Sequence, residues 1–250
     1  MRAPPADLMS ARLRFAASTL AATLLLTLAL PPCTRAQKAT EPHTGKASHP
    51  AGQHDATTHR SFADAEGWAR VFDDPSRDEW QRPKDVVSAL GLRPGMAVAD
   101  LGAGTGYFSR YLCDAVGGTG SVFAAETEPN LLIHLRKRAE QEHLDVLTPV
   151  LASFDNPRLP RASVDVVLVV DTFHHIDDRL TYFRRLQRTL KPGGRVAVID
   201  WQKRELPVGP PSEHKLAREQ VLEEMTAAGY QLAGEPQFLP YQYFLIFRVP

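Results

Sequence analysis

The run Val98-Ala99-Asp100-Leu101-Gly102-Ala103-Gly104-Thr105-Gly106-Tyr107 constrains this chain more than any other segment. An apolar stretch ends in an acid and then turns through three glycines spaced two apart. Glycine reaches positive φ at little steric cost and carries no Cβ, so backbone N–H groups in such a turn can approach a ligand closely. A helix expected from near Gly106 adds its positive end to the same space. The segment reads as strand, ligand-facing turn and helix. A dinucleotide fingerprint, Gly-x-Gly-x-x-Gly, would place its third glycine where Tyr107 stands.

Beyond this point strands and helices alternate. Strands are expected at Ala97–Leu101, Ser121–Glu126, Val146–Leu151, Val164–Val170 and Arg195–Asp200, with helices from near Pro129 and Asp178. The run Val164–Val170, broken only by Asp165, is as apolar as a strand buried on both faces requires. Repeated β-α units imply a parallel sheet. The end differs: a helix near Ser212–Ala228 is followed by Tyr230–Leu239 and Tyr241–Arg248, two strands with no helix between them. The expected fold is α/β, a doubly wound, Rossmann-like, mostly parallel seven-stranded sheet with a C-terminal antiparallel hairpin. Ahead of it, Phe62, Trp68, Val71 and Phe72 fit an amphipathic helix, and Asp78–Pro83 leads into a helix through Leu90.

Asp-x-Gly-x-Gly-x-Gly at 100–106 resembles the first motif of the class I S-adenosylmethionine-dependent methyltransferases. Leu190-Lys191-Pro192-Gly193-Gly194-Arg195 is similar to the approach to the fifth strand in the small-molecule branch of that family, and the resemblance spans Trp80 to Val249. It implies S-adenosylmethionine as cofactor and in-line transfer of its methyl group to a small-molecule acceptor. The implied cofactor site comprises Asp100, Gly102, Ala103, Gly104, Gly106, Tyr107, Glu126, Ser153, Phe154 and Asp171. Glu126 ends the second strand, where a carboxylate can accept hydrogen bonds from ribose hydroxyls; Glu128 competes for that role. Ser153 stands where the family commonly carries an acid facing the adenine, with Asp155 as the alternative and Phe154 placed to pack on the base.

Asp171-Thr172-Phe173-His174-His175 follows the fourth strand, whose carboxyl end faces the transferred methyl in this fold. A base is needed only when the acceptor carries a proton, and histidine suits that task near neutrality. Asp171, His174 and His175 are therefore the catalytic candidates, with one histidine also readable as a packed, hydrogen-bonded core residue. Trp80 and Tyr107 offer aromatic faces to a sulfonium cation, or simply pack. His214 is a lid candidate by analogy alone.

Residues 1–36 read as an export signal. Phe15–Leu30 is a sixteen-residue uncharged, mostly apolar run behind Arg12 and Arg14, short for a membrane span. Thr34-Arg35-Ala36 allows cleavage before Gln37, while Cys33 offers a competing lipoprotein route with a lipid anchor. The mature chain is then exported, periplasmic or secreted, without an integral membrane span. Residues 37–60 carry Thr, Ser, Gly, Pro and four histidines (His43, His49, His54, His59) and read as a flexible linker, leaving 61–250 as the domain. Without residues 1–36 the chain holds 25 basic and 28 acidic residues, which argues against a nucleic-acid partner. Two cysteines, Cys33 and Cys113, build neither a disulfide framework nor a zinc site, and no metal is expected. S-adenosylmethionine is made in the cytoplasm, so export keeps a second reading open: a non-catalytic nucleoside- or ligand-binding module on the same fold. A nicotinamide-dependent oxidoreductase is opposed by the glycine spacing and by Leu-Lys-Pro-Gly-Gly.

Overall fold

Seven strands form one sheet: β1 (Ala97–Leu101), β2 (Ser121–Glu126), β3 (Leu147–Leu151), β4 (Val164–Val170), β5 (Leu190–Trp201), β6 (Gln231–Gly234) and β7 (Gln242–Arg248), in the order β3-β2-β1-β4-β5-β7-β6. The computed structural model describes residues 56–57 and 61–250. The segment 1–36 expected to direct export, with Cys33, and the expected linker 37–60 apart from Ala56 and Thr57, lie outside the described residues. Pairing is parallel from β3 across to β5 and antiparallel where β7 meets β5 and β6. The mostly parallel sheet and its antiparallel end are those the sequence predicts.

Among the described residues seven α-helices accompany the strands: α1 (Ala65–Phe72), α2 (Arg77–Gln81), α3 (Pro83–Ala89), α4 (Tyr107–Val116), α5 (Pro129–Gln141), α6 (Arg179–Leu186) and α7 (Arg218–Ala227). Local chemistry sets their ends. Pro83 and Pro129 open α3 and α5, where a missing N–H costs nothing. Asp64 and Asp178 cap α1 and α6 by accepting from Gly67 and Thr181 N–H. Gly117, at φ 62°, stops α4.

The period-two alternation of β4 divides the core between two faces. Val167 and Val169 pack with Phe173, Phe183, Leu186, Met225 and Tyr230 beneath α6 and α7. Val166, Leu168 and Val170 pack with Val86, Leu90, Phe108, Leu112 and Val116 beneath α3 and α4. Full burial of each such side chain is worth roughly 1.5–3 kcal/mol, which is why a run so apolar settles in the sheet's centre. Cys113 belongs to the second cluster, and burial pushes its thiol up to about 12, the state of a small hydrophobe.

Three boundaries depart from expectation. Leu190-Lys-Pro-Gly-Gly is not a turn ahead of the fifth strand but a bulge within it: Val164 pairs with Leu190, and Val166 already with Arg195. β6 covers Gln231–Gly234 rather than Tyr230–Leu239, because Pro236 and Pro240 bring no N–H to a ladder. Ser212–His214 forms a separate 3-10 turn, and α7 starts only at Arg218.

Candidate active site

In open α/β sheets ligands bind outside the carboxyl ends of the strands where the winding reverses, here between β1 and β4. A cavity of about 730 Å³ opens at that place. Asp100, Gly102, Ala103, Gly104 and Tyr107 line it from the first strand and its turn, and Glu126, Ser153 and Phe154 from β2 and β3. Asp171, His174 and His175 line it from the end of β4, with Trp80, Glu128 and His214 on its outer walls. Of the proposed site residues only Gly106 is not on its surface.

The three glycines differ in what surrounds them. A Cβ on Gly102 would stand 2.3 Å from Thr172, and one on Gly106 would stand 2.8 Å from Leu135. Those two glycines let the turn pack against the β4 loop and α5. Gly104, at φ 57°, meets only the edge of the Phe72 ring at 3.4 Å, so of the two glycines on the cavity surface, Gly102 and Gly104, it is the one whose Cβ position is not filled by tight packing. Gly106 serves the turn by packing.

Glu126 is buried, and three backbone donors hold its carboxylate. Oε2 accepts from Gly104 N–H at 2.8 Å, and Oε1 from Thr127 N–H at 2.7 Å and Glu128 N–H at 3.1 Å. The group therefore ties the glycine turn to the start of α5. Thr127 Oγ1 also donates to Oε1 at 3.3 Å, so the acceptor capacity open to a ligand hydroxyl is the second lone pair of Oε2. Glu128 is engaged differently, accepting from Phe62 N–H at 3.3 Å ahead of α1. Of the residues expected to face an adenine, Ser153 and Phe154 line the cavity but Asp155 does not. Its carboxylate accepts from Ser153 Oγ at 2.8 Å and from Arg185 at 2.9 Å on the exposed side.

The two adjacent histidines take different places. His174 is 2% exposed, and its Nδ1 lies 2.9 and 3.0 Å from the two oxygens of Asp200. Burial disfavours its imidazolium, but the Asp200 charge and hydrogen bond outweigh that and hold its pKa above the usual value. Since the Asp200 carboxylate only accepts, Nδ1 carries the proton and Nε2 is the nitrogen that titrates. His175 packs edge-on to Phe62 at 5.7 Å. Asp171 sits at φ 53°, and burial raises its carboxyl to about 7 against the opposing pull of Arg77. Burial likewise raises Asp100 to about 6, while Ser109 Oγ donates to it at 2.7 Å.

Arg77 is a site residue that sequence reading missed. Its guanidinium lies 4.0 Å from the centroid of the Tyr107 ring and 3.8 Å from the Asp171 carboxylate. One face of Tyr107 is thus already covered by a cation, and its hydroxyl donates to Asp78. Trp80 instead packs at 5.1 Å on Trp201, which also lines the cavity. Arg77, Trp80 and Gln81 share one helical face at i, i+3 and i+4, a spacing visible in the sequence. Asp200 was also passed over, although it is an acid at a strand's end like Asp100 and Glu126.

Among the described residues no group of three or more His, Cys, Asp or Glu is arranged to hold a metal ion. No helix among them is long and apolar enough to cross a membrane.

Residues 99–198 match the model of a methyltransferase domain. The chain is 30% identical over 125 residues to a ubiquinone/menaquinone biosynthesis C-methyltransferase of Laribacter hongkongensis, covering 50% of this chain and 51% of that one. It is 29% identical over 125 residues to the protein of that name from Shewanella sp., covering 50% of this chain and 49% of that one. This chain thus spans about half the length of the curated relatives it matches. A solved SAM-dependent methyltransferase from Aquifex aeolicus is similar at 28% identity and a TM-score of 0.70, covering 72% of this chain and 96% of that one.

Proposed function

We propose that this chain, which carries a methyltransferase domain of the S-adenosylmethionine-dependent kind, moves the methyl group of that cofactor to a small-molecule acceptor held at the ends of β4 and β5. The observation that carries this reading is that one cavity joins both halves of the chemistry. Gly104 and Glu126 stand on one wall, Asp171 and His174 on another. The donor set fits the cofactor: a backbone turn without a Cβ, a carboxylate with acceptor capacity for a ribose hydroxyl, and carboxylates beneath a cation.

When bound, the cofactor supplies an electrophilic methyl group on a sulfonium. The chain's own residues align the acceptor with it and exclude water. His174, oriented by Asp200, takes the acceptor's proton at Nε2 once its imidazolium has ionised. Trp80, Tyr182 and Trp201 line the same cavity. Together with the C-methyltransferase names of the curated relatives, that lining supports an apolar, ring-bearing acceptor. The basic, apolar and small-residue pattern of residues 1–36 supports export, with Cys33 lipidation as a competing route. Sequencing the mature N-terminus after cell fractionation tests that part.

Calorimetric titration with S-adenosylmethionine, S-adenosylhomocysteine and NAD tests the cofactor. The first two are expected to bind and NAD is not. Binding of NAD alone, or of none of the three, overturns the reading.

A further inference from the structure

Arg77, Gln81, Gln242 and Asp171 form a closed ring of side chains, with Arg77 and Asp171 on the cavity wall and the two glutamines behind it. Gln81 and Gln242 are 0% and 3% exposed and stand 161 residues apart, one in α2 and one at the start of β7. We propose that the two glutamines are positioning residues, a relay that holds the Asp171 carboxylate oriented and ionised as a counter-charge to the cationic cofactor. The inference rests on the cofactor reading above.

The chemistry of the two ends sets the direction of the relay. Gln242 Nε2 donates to Asp171 Oδ1 at 2.5 Å. Its Oε1 then faces Gln81 and accepts from Gln81 Nε2 at 2.6 Å. Gln81 Oε1 in turn accepts from Arg77 Nε at 3.1 Å. Arginine only donates and an ionised carboxylate only accepts, so neither amide can turn over without setting like atoms against each other. Arg77 Nη2, 3.8 Å from Asp171 Oδ2, closes the ring.

Asp171 needs such support. Its φ of 53° is a left-handed conformation that residues other than glycine adopt rarely, and surrounding contacts must hold it there. The charged and titratable groups around it come from four elements: Arg77 on α2, Asp200 on β5, His174 in the turn after β4, and Tyr243 on β7. Burial and Asp200 favour the neutral acid, whereas Arg77, His174 and the Gln242 donor favour the carboxylate. With the balance near neutrality, loss of one donor decides the charge.

The test is S-adenosylmethionine affinity by calorimetry from about pH 5.5 to about 8.5, the span in which such groups titrate. In the unaltered protein affinity is expected to rise with pH through about 7, and Asp171→Asn should abolish that rise. Gln242→Met removes the donor at nearly constant volume and should move the midpoint up by about one pH unit, a tenfold change in proton affinity. Gln81→Met, one bond further away, should move it less in the same direction, and it decides the matter if Gln242→Met does not fold. An unmoved midpoint in a folded variant, or an equal loss of affinity at every pH, overturns the proposal. Absence of S-adenosylmethionine binding by the unaltered protein at every pH overturns the cofactor reading itself, and this inference with it.

Discussion

Glu126 holds Gly104, Thr127 and Glu128 N–H with one carboxylate, so at the scale of the residue it shapes the turn and also faces the ligand space. Glu126→Ala removes a charged acceptor and leaves those donors to find water. Loss of a charge-assisted contact should cost on the order of 1.5–3 kcal/mol, or about tenfold or more in cofactor affinity. Calorimetry on Glu126→Ala and Glu128→Ala checks this, and a deficit confined to the second variant would transfer the role to Glu128. The neighbouring glycines show the same division of labour. Gly104 lines the cavity with no tight packing at its Cβ position, while Gly102 and Gly106 let backbone pass Thr172 and Leu135.

Among the elements, α6 and α7 are locked together by an ion pair under the face that carries Phe173, Phe183 and Met225. Arg179 and Glu224 are 1% and 2% exposed, joined at 2.5 Å from Nε to Oε2 and at 3.0 Å from Nη2 to Oε1. Removing one partner leaves the other's charge buried, at a cost of about 3–5 kcal/mol, whereas apolar replacement of both is often neutral. Urea unfolding should therefore show Glu224→Ala far less stable than the paired Arg179→Met/Glu224→Leu variant. Comparable losses in the two would show that the pair itself stabilises the packing. The short helix α2 matters differently, because it brings Arg77, Trp80 and Gln81 to the site on one face.

For the whole molecule, three groups largely withdrawn from water give stability the same dependence on pH. Burial raises Asp171 to about 7 and Asp100 to about 6, from a reference of 3.8. The folded state therefore holds more protons than the unfolded chain from about pH 4 to about pH 7, and stability falls as pH rises through that window. His174, with its pKa raised above 6.5 despite burial, adds stability below that value that is lost as pH rises through its folded pKa. Glu235, held low by its hydrogen bond to Arg218, acts only on the acid side of the window. Denaturant midpoints of the ligand-free protein should thus be lower at pH 8 than at pH 5. A flat or opposite trend would mean that these carboxyls are ionised without cost.

The glycine turn, the acids ending β1 and β2, and the apolar β4 were legible in the sequence because each is local: spacing, strand-end position and period-two burial act within a few residues. The Gly-Gly bulge of β5 and the shortening of β6 were not, because they depend on which strand each segment pairs with. Most of the site residues lay in motifs that the strand ends and the family resemblance pointed to. What those side chains do there was decided by tertiary structure. Asp200 reaches His174 across 26 residues, and Gln242 reaches Asp171 across 71 and Gln81 across 161. No periodicity encodes such distances. The fold alone brings α2, the end of β4 and the start of β7 to one wall, where burial couples charged side chains through neutral amide hydrogen bonds.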